Sequence, residues 1–268
     1  CRAADWFGST DSQAIGDISP DGQLGVYVLD PLIISDVEDI LRENHGIADP
    51  ATFVENARLR GIAGLLDNPQ TLSLLAEAIR DGQWPTTRLE TFQLACRKLA
   101  DEDSKQHRAF ARANAIPIDK ILTAAGQLCA VLLLSDKSGI ALDRESIDQQ
   151  FPLLDDFAPS ELAVAKLATS RKLFRPTSDA PERVVPNHRS IAEFLAAQWL
   201  AERIDCEGLP LGRVLNLFLG LGERTVAGLR DLYGWLAWHC RSARQRLIEA
   251  DPLTVILYGD VKPMSLED

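Results

Sequence analysis

Asn187-His188-Arg189-Ser190-Ile191-Ala192-Glu193-Phe194-Leu195-Ala196-Ala197 decides the reading of this chain. Ile191, Phe194, Leu195, Trp199 and Leu200 recur at helical spacing, so a long helix begins here with one face buried. Asn187 stands just ahead, where its side chain can cap the first-turn amides. His188 then lies where unpaired N–H groups and the helix dipole favour an anion such as a phosphate. A histidine at this position also serves simply as a cap or a packing residue at a helix end.

Upstream of that helix, Arg171-Lys172-Leu173-Phe174-Arg175 and Arg183-Val184-Val185-Pro186 flank a turn-rich segment, Pro176 to Pro181, and read as a hairpin. Residues 117–134 form a strongly apolar helix from Ile118 to Leu134. Asp143-Arg144-Glu145 predicts a short helix ended by Pro152, and Pro159-Ser160-Glu161 predicts another through Thr169. Three helices, a hairpin and a closing helix predict a winged-helix domain over residues 113–205.

Further upstream, residues 1–24 are polar and rich in Gly, Asp and Ser. Gly25-Val26-Tyr27-Val28-Leu29 is a short strand stopped by Asp30-Pro31. A helix follows from Ser35 and ends at Asn44-His45-Gly46. A second starts at Asp49-Pro50, and a third at Asn68-Pro69, with proline at the first helical position each time. The third stops at Asp81-Gly82. Thr87-Arg88-Leu89-Glu90 is a capping box opening a fourth helix through about Leu99. The charged run Asp101 to Arg112 marks a boundary. Downstream, helices are expected near Leu211–Leu219, Glu223–His239 and Ser242–Ala250, with another from Asp251-Pro252. Short amphipathic helices of this kind suggest the start of a helical array.

The chain has 268 residues, with 46% hydrophobic and 25% charged, an ordinary globular composition. A formal charge of −11 disfavours non-specific binding to nucleic acid or anionic membrane. Five scattered cysteines without a C-x-x-C pair point away from a disulfide framework or a zinc site, and toward a reducing cytoplasm. Cys206, His239 and Cys240 could meet in space only as a weak metal set. No run reaches membrane-spanning length and no signal peptide is visible. No P-loop, nucleophile elbow, zincin or dinucleotide motif occurs, so no self-contained active site is expected. The abrupt start at Cys1-Arg2 and the abrupt stop after Met264 lead us to expect an excerpt of a longer protein.

Three weak signals could carry chemistry together. Arg2 would sit at the C-terminal end of a strand, where α/β sheets bind ligands and a guanidinium can fork onto phosphate. Pro69 offers a rigid apolar surface at a helix start, against which a base could pack. His188 is the third. Each is also explained by ordinary structure.

These residues resemble a known family. Cys1-Arg2 with Trp6, then Val28-Leu29-Asp30-Pro31-Leu32 and Asp36-Val37 with Ile40-Leu41, look like the end of a NACHT-type NTPase core. Asn68-Pro69-Gln70-Thr71-Leu72 and Trp84-Pro85 with Arg88 resemble that class's small helical lid. His188 to Ala197 resembles its winged-helix segment H-x-S-x-x-E-F-x-A-A. Gly234-Trp235-Leu236-Ala237, Asp251-Pro252 and Tyr258-Gly259-Asp260 are similar to the start of the sensor region in bacterial antiviral STAND proteins.

The resemblance implies a mainly α chain in four parts. These are a β remnant of an α/β NTPase core (1–32), a helical lid (33–112), a winged helix (113–205) and the start of a helical arm (206–268). It implies ATP or ADP with Mg²⁺ as cofactor, with Arg2 facing the terminal phosphate, Pro69 against the adenine, and His188 on the ADP phosphate. The P-loop and the acidic Mg²⁺ segment have no counterpart here and are expected upstream, so this stretch alone should neither hydrolyse ATP nor hold it tightly. The implied partners are nucleotide, the chain's own NTPase core, further copies on activation, and a protein trigger on the downstream array. The implied role is defence signalling in the cytoplasm. Two other classes stay open: a winged-helix DNA-binding regulator using Arg171, Lys172 and Arg175, and a helical scaffold without nucleotide. Residues 143–187 hold six basic against eight acidic side chains, a net of −2, which opposes the DNA reading.

Overall fold

A computed structural model describes residues 30–79, 84–85, 87–101, 116–157, 161–177, 180–220 and 224–259. Arg2, the strand expected over 25–29, the stop at Asp81-Gly82 and most of the charged run from Asp101 to Arg112 lie outside these residues. The described chain is mainly helical, with one small antiparallel sheet.

Local chemistry sets the first four helices. Helix α1 (Ile34–His45) buries Val37 and Leu41 and stops at Gly46, whose φ of 64° is left-handed and suits glycine. Asp49 accepts the Thr52 amide at 3.0 Å and so caps α2 (Pro50–Leu59). A 3₁₀ turn (Ala63–Leu65) leads to α3 (Pro69–Ala78). The expected capping box opens α4 (Arg88–Ala100): the Glu90 amide donates to Thr87 Oγ1 at 3.1 Å, and the Thr87 amide to Glu90 Oε2 at 3.3 Å. Helix α3 packs against α1 and α4 around Leu41, Ile62, Leu72, Ile79 and Phe92.

Helix α5 (Ile118–Leu134) has the limits its apolar run predicts. After it come β1 (Ile140–Ala141), α6 (Leu154–Phe157), α7 (Leu162–Thr169), β2 (Phe174–Pro176), β3 (Arg183–Pro186) and α8 (Arg189–Glu207). The strand order is β1-β3-β2, with Ile140 opposite Val184 and Arg175 opposite Val185. Two expectations need correction here, and one strand was not foreseen. Asp143 to Pro152 is not helical, because the Asp143 carboxylate takes the Ser146 amide and Asp148 takes those of Gln150 and Phe151. Such local bonds compete with the helix ladder. The first hairpin strand begins only at Phe174, since Arg171 to Leu173 form a turn. Strand β1, two residues long, carries too little pattern to be read beforehand.

The remaining helices are α9 (Leu211–Phe218), α10 (Arg230–His239), α11 (Arg244–Ala250) and α12 (Pro252–Tyr258). A single helix over Glu223–His239 is not formed. Thr225 instead bridges Leu219 and donates its amide to Asp251 Oδ2 at 2.9 Å, and a 3₁₀ turn (Ala227–Leu229) precedes α10. Helix α8 runs two residues past position 205 and ends at Gly208, φ 72°. It packs on α5 along one side and α10 along another, so one contiguous set of buried side chains extends from Val37 through Phe194 to Val255. No helix among the described residues is long and apolar enough to cross a membrane.

Candidate functional site

The start of α8 is where the sequence and the geometry meet. Strand β3 delivers the chain to Asn187, which is held by two bonds to the preceding turn. Its amide donates to the Leu173 carbonyl at 2.9 Å, and its Nδ2 to the Lys172 carbonyl at 3.0 Å. Asn187 therefore does not cap α8, which corrects the expectation for it. The cap position falls to His188, in extended backbone, and no side chain caps the first-turn amides.

The His188 ring is largely sunk into the protein, and its buried Nε2 has no hydrogen-bond partner. Burial, and secondarily the nearby Arg175 cation, pushes its pKa down to about 4. At neutral pH the imidazole is thus uncharged, with one donor and one acceptor nitrogen. A buried nitrogen without a partner costs about 1–3 kcal/mol.

Pro69 is the first residue of α3 and half-buried, with Thr71 just beyond it donating its amide toward Asn68 Oδ1 at 3.4 Å. Pro69 and His188 open helices in different packing groups, with α4 touching both α3 and α8. A groove of about 340 Å³ between α4, α5 and α8 is lined by Arg97, Asp119, Leu195 and Trp199, and by neither Pro69 nor His188.

Of the three cations named for a DNA-binding hairpin, Arg171 and Lys172 are buried, at 7% and 9% exposed, and Arg175 is exposed. Arg183 pairs with Asp148 at 2.7 Å and lies over the Phe151 ring. The weak metal set also dissolves. Cys206 is exposed, the Cys240 thiol donates to Asp205, and the His239 ring faces Phe194 at 5.0 Å. No group of three or more His, Cys, Asp or Glu among the described residues could hold a metal ion.

Sequence reading undervalued Glu193. It lies within the motif at 188–197, yet it is 5% exposed and accepts from Arg189 Nε at 2.7 Å. Burial pushes its pKa up to about 7, against the pull of Arg189 and Arg88. A glutamate flanked by Ile191, Ala192, Phe194 and Leu195 was the available signal.

These shifts set an acid limb for stability. His188 and His239, both lowered from 6.5 to about 4, contribute stability that is complete above pH 6.5 and lost as pH falls through 4. Glu193, raised from 4.5 to about 7, acts oppositely: its contribution is complete below pH 4.5 and lost as pH rises through 7. With two groups against one, the urea midpoint is expected to fall between pH 6.5 and 4.5. His239→Phe, which keeps an aromatic ring against Phe194, is expected to flatten that fall. An equal slope in the variant would show that His239 is not held neutral.

A scan against protein-family models and a search of curated proteins both return no match for this chain.

Proposed function

We propose that this chain is the nucleotide-controlled switch portion of a STAND, NACHT-like ATPase, acting in cytoplasmic defence signalling. Residues 33–112 are the lid, 113–205 the winged helix, and 206–268 the start of the helical arm. The observation that carries this reading is the buried, unpartnered Nε2 of His188 at the uncapped start of a 19-residue helix. The order helix, strand, two helices and two strands, with spatial order β1-β3-β2, supports the winged-helix assignment.

In this reading the phosphate end of ADP is met at the start of α8. That end offers the His188 ring, the first-turn amides of α8 and the Arg175 charge beside them. A phosphate there would meet the Arg175 charge and take a hydrogen bond from the neutral His188 ring. Pro69 would take the base at the start of α3. Mg²⁺ would be held by the P-loop core of the parent polypeptide. ADP favours the arrangement in which His188 meets it, and ATP shifts the equilibrium only through contacts that differ between the two arrangements.

The test is His188→Ala in the parent polypeptide, reading ADP content after purification and mass by light scattering. We expect ADP to dissociate up to about tenfold faster, the loss of one hydrogen bond near the upper end of its usual worth, and basal oligomers to appear. Unchanged ADP content with a monomeric variant would overturn the reading. A helical scaffold without nucleotide predicts that outcome, with only a change in stability.

A further inference from the structure

Arg88 sits where stretches far apart in sequence converge. Its Nε donates to the Arg60 carbonyl at 3.3 Å, and its Nη1 to the Tyr258 carbonyl at 3.1 Å, 170 residues away. Its guanidinium lies over the rings of Trp235, at 4.6 Å, and Phe92, at 5.4 Å. Two close backbone approaches make room for it. Gly61 has φ +72°, and a Cβ there would stand 3.1 Å from Arg88 Nη2. Gly234 lets α10 meet the end of α12 so tightly that a Cβ would stand 2.6 Å from the Tyr258 carbonyl carbon. The carbonyl that Arg88 takes is thus fixed by the α10–α12 crossing.

The first two turns of α8 complete the surroundings. Glu193 is buried beside Arg189, and the charges of Arg88 and Asp231 both act on its carboxyl. Arg189 Nη2 also donates to the Gly228 carbonyl, ahead of α10. The junction therefore joins the loop after α2, the start of α4, the first turns of α8, and the segment from α10 to α12.

We propose that Arg88 is an interlock: its guanidinium seats only when residues 60–61, α8 and the α10–α12 crossing are docked together, so its release frees the C-terminal helices from α4. A planar fork of donors stacked on aromatic faces needs carbonyls and rings in one fixed arrangement, which suits arginine and not lysine. His188 and Glu193 share the first two turns of α8, so displacement at the His188 end disturbs the seat. That last link rests on the nucleotide reading; the seating does not.

The test is amide hydrogen exchange on the whole chain, with wild type, Arg88→Ala and Arg88→Lys. We expect Arg88→Ala to accelerate exchange at least tenfold in residues 227–239 and 252–259 while the α5 core, 121–132, keeps its wild-type rate. Arg88→Lys keeps the charge and should fold even if alanine does not; it should give a smaller acceleration confined to 252–259. Wild-type rates in 252–259 for both variants, or an equal rise in α5, would overturn the interlock. Bound ADP is measured in parallel in the parent polypeptide. Accelerated exchange with no ADP in any sample sinks the nucleotide reading and leaves the interlock standing, whereas normal exchange with retained ADP does the reverse.

Discussion

Phe194→Ala is expected to cost about 3–5 kcal/mol of unfolding free energy, the range for removing a buried aromatic ring. The ring is 1% exposed and is the meeting point of three helices. It lies 5.3 Å from Phe92 of α4, 4.9 Å edge-on from Trp235 of α10 and 5.0 Å from His239. Those neighbours are themselves held, Trp235 by the Arg88 cation and Phe92 by full burial. They cannot collapse into the space, so the cavity term adds to the lost transfer energy. Phe194→Leu keeps most of the volume and should lose roughly 1–2 kcal/mol. Urea unfolding followed by tryptophan fluorescence and circular dichroism measures both, and an alanine loss below about 1 kcal/mol would contradict the packing described here.

Gly126→Ala is expected to destabilise by about 1–3 kcal/mol, although alanine favours a helix over glycine by about 1 kcal/mol. Gly126 lies inside α5 where α8 crosses it. An added Cβ would stand 2.6 Å from the Leu195 carbonyl oxygen and 3.0 Å from Trp199 Cβ. A backbone oxygen cannot swing aside as a side chain can, so the two helices must separate along their whole contact. Gly212 in α9 provides the contrast, since nothing lies within 4 Å of a Cβ built there. Gly212→Ala should be neutral or mildly stabilising. If the Gly126 variant were equally harmless, the close crossing would be wrong.

What could be read in advance were features written within a few residues. The Asp49 and Asp251 caps, each followed by proline, fix the starts of α2 and α12. The Thr87–Glu90 box fixes α4, and an unbroken apolar run fixes α5. Where a local carboxylate or a distant partner competes, the periodicity misleads. Asp143 and Asp148 unwind an expected helix, and Asp251 draws Thr225 out of another. The site divides the same way. His188 at a helix start is visible in sequence, but its lack of a cap follows from Asn187 being drawn to Lys172 and Leu173. The seat of Arg88 uses a carbonyl 170 residues away, and no local pattern encodes that.

Helix α8 spans 19 residues, which at 1.5 Å per residue makes a rod about 28 Å long. Its far end turns at Gly208, and its near end carries His188. A tilt of about 10° about the Gly208 end would carry the His188 end through roughly 5 Å, well beyond the reach of a hydrogen bond. The length of this one helix acts as leverage: a rotation small enough to leave its C-terminal turn almost undisturbed is magnified at the other end into a change between contact and none.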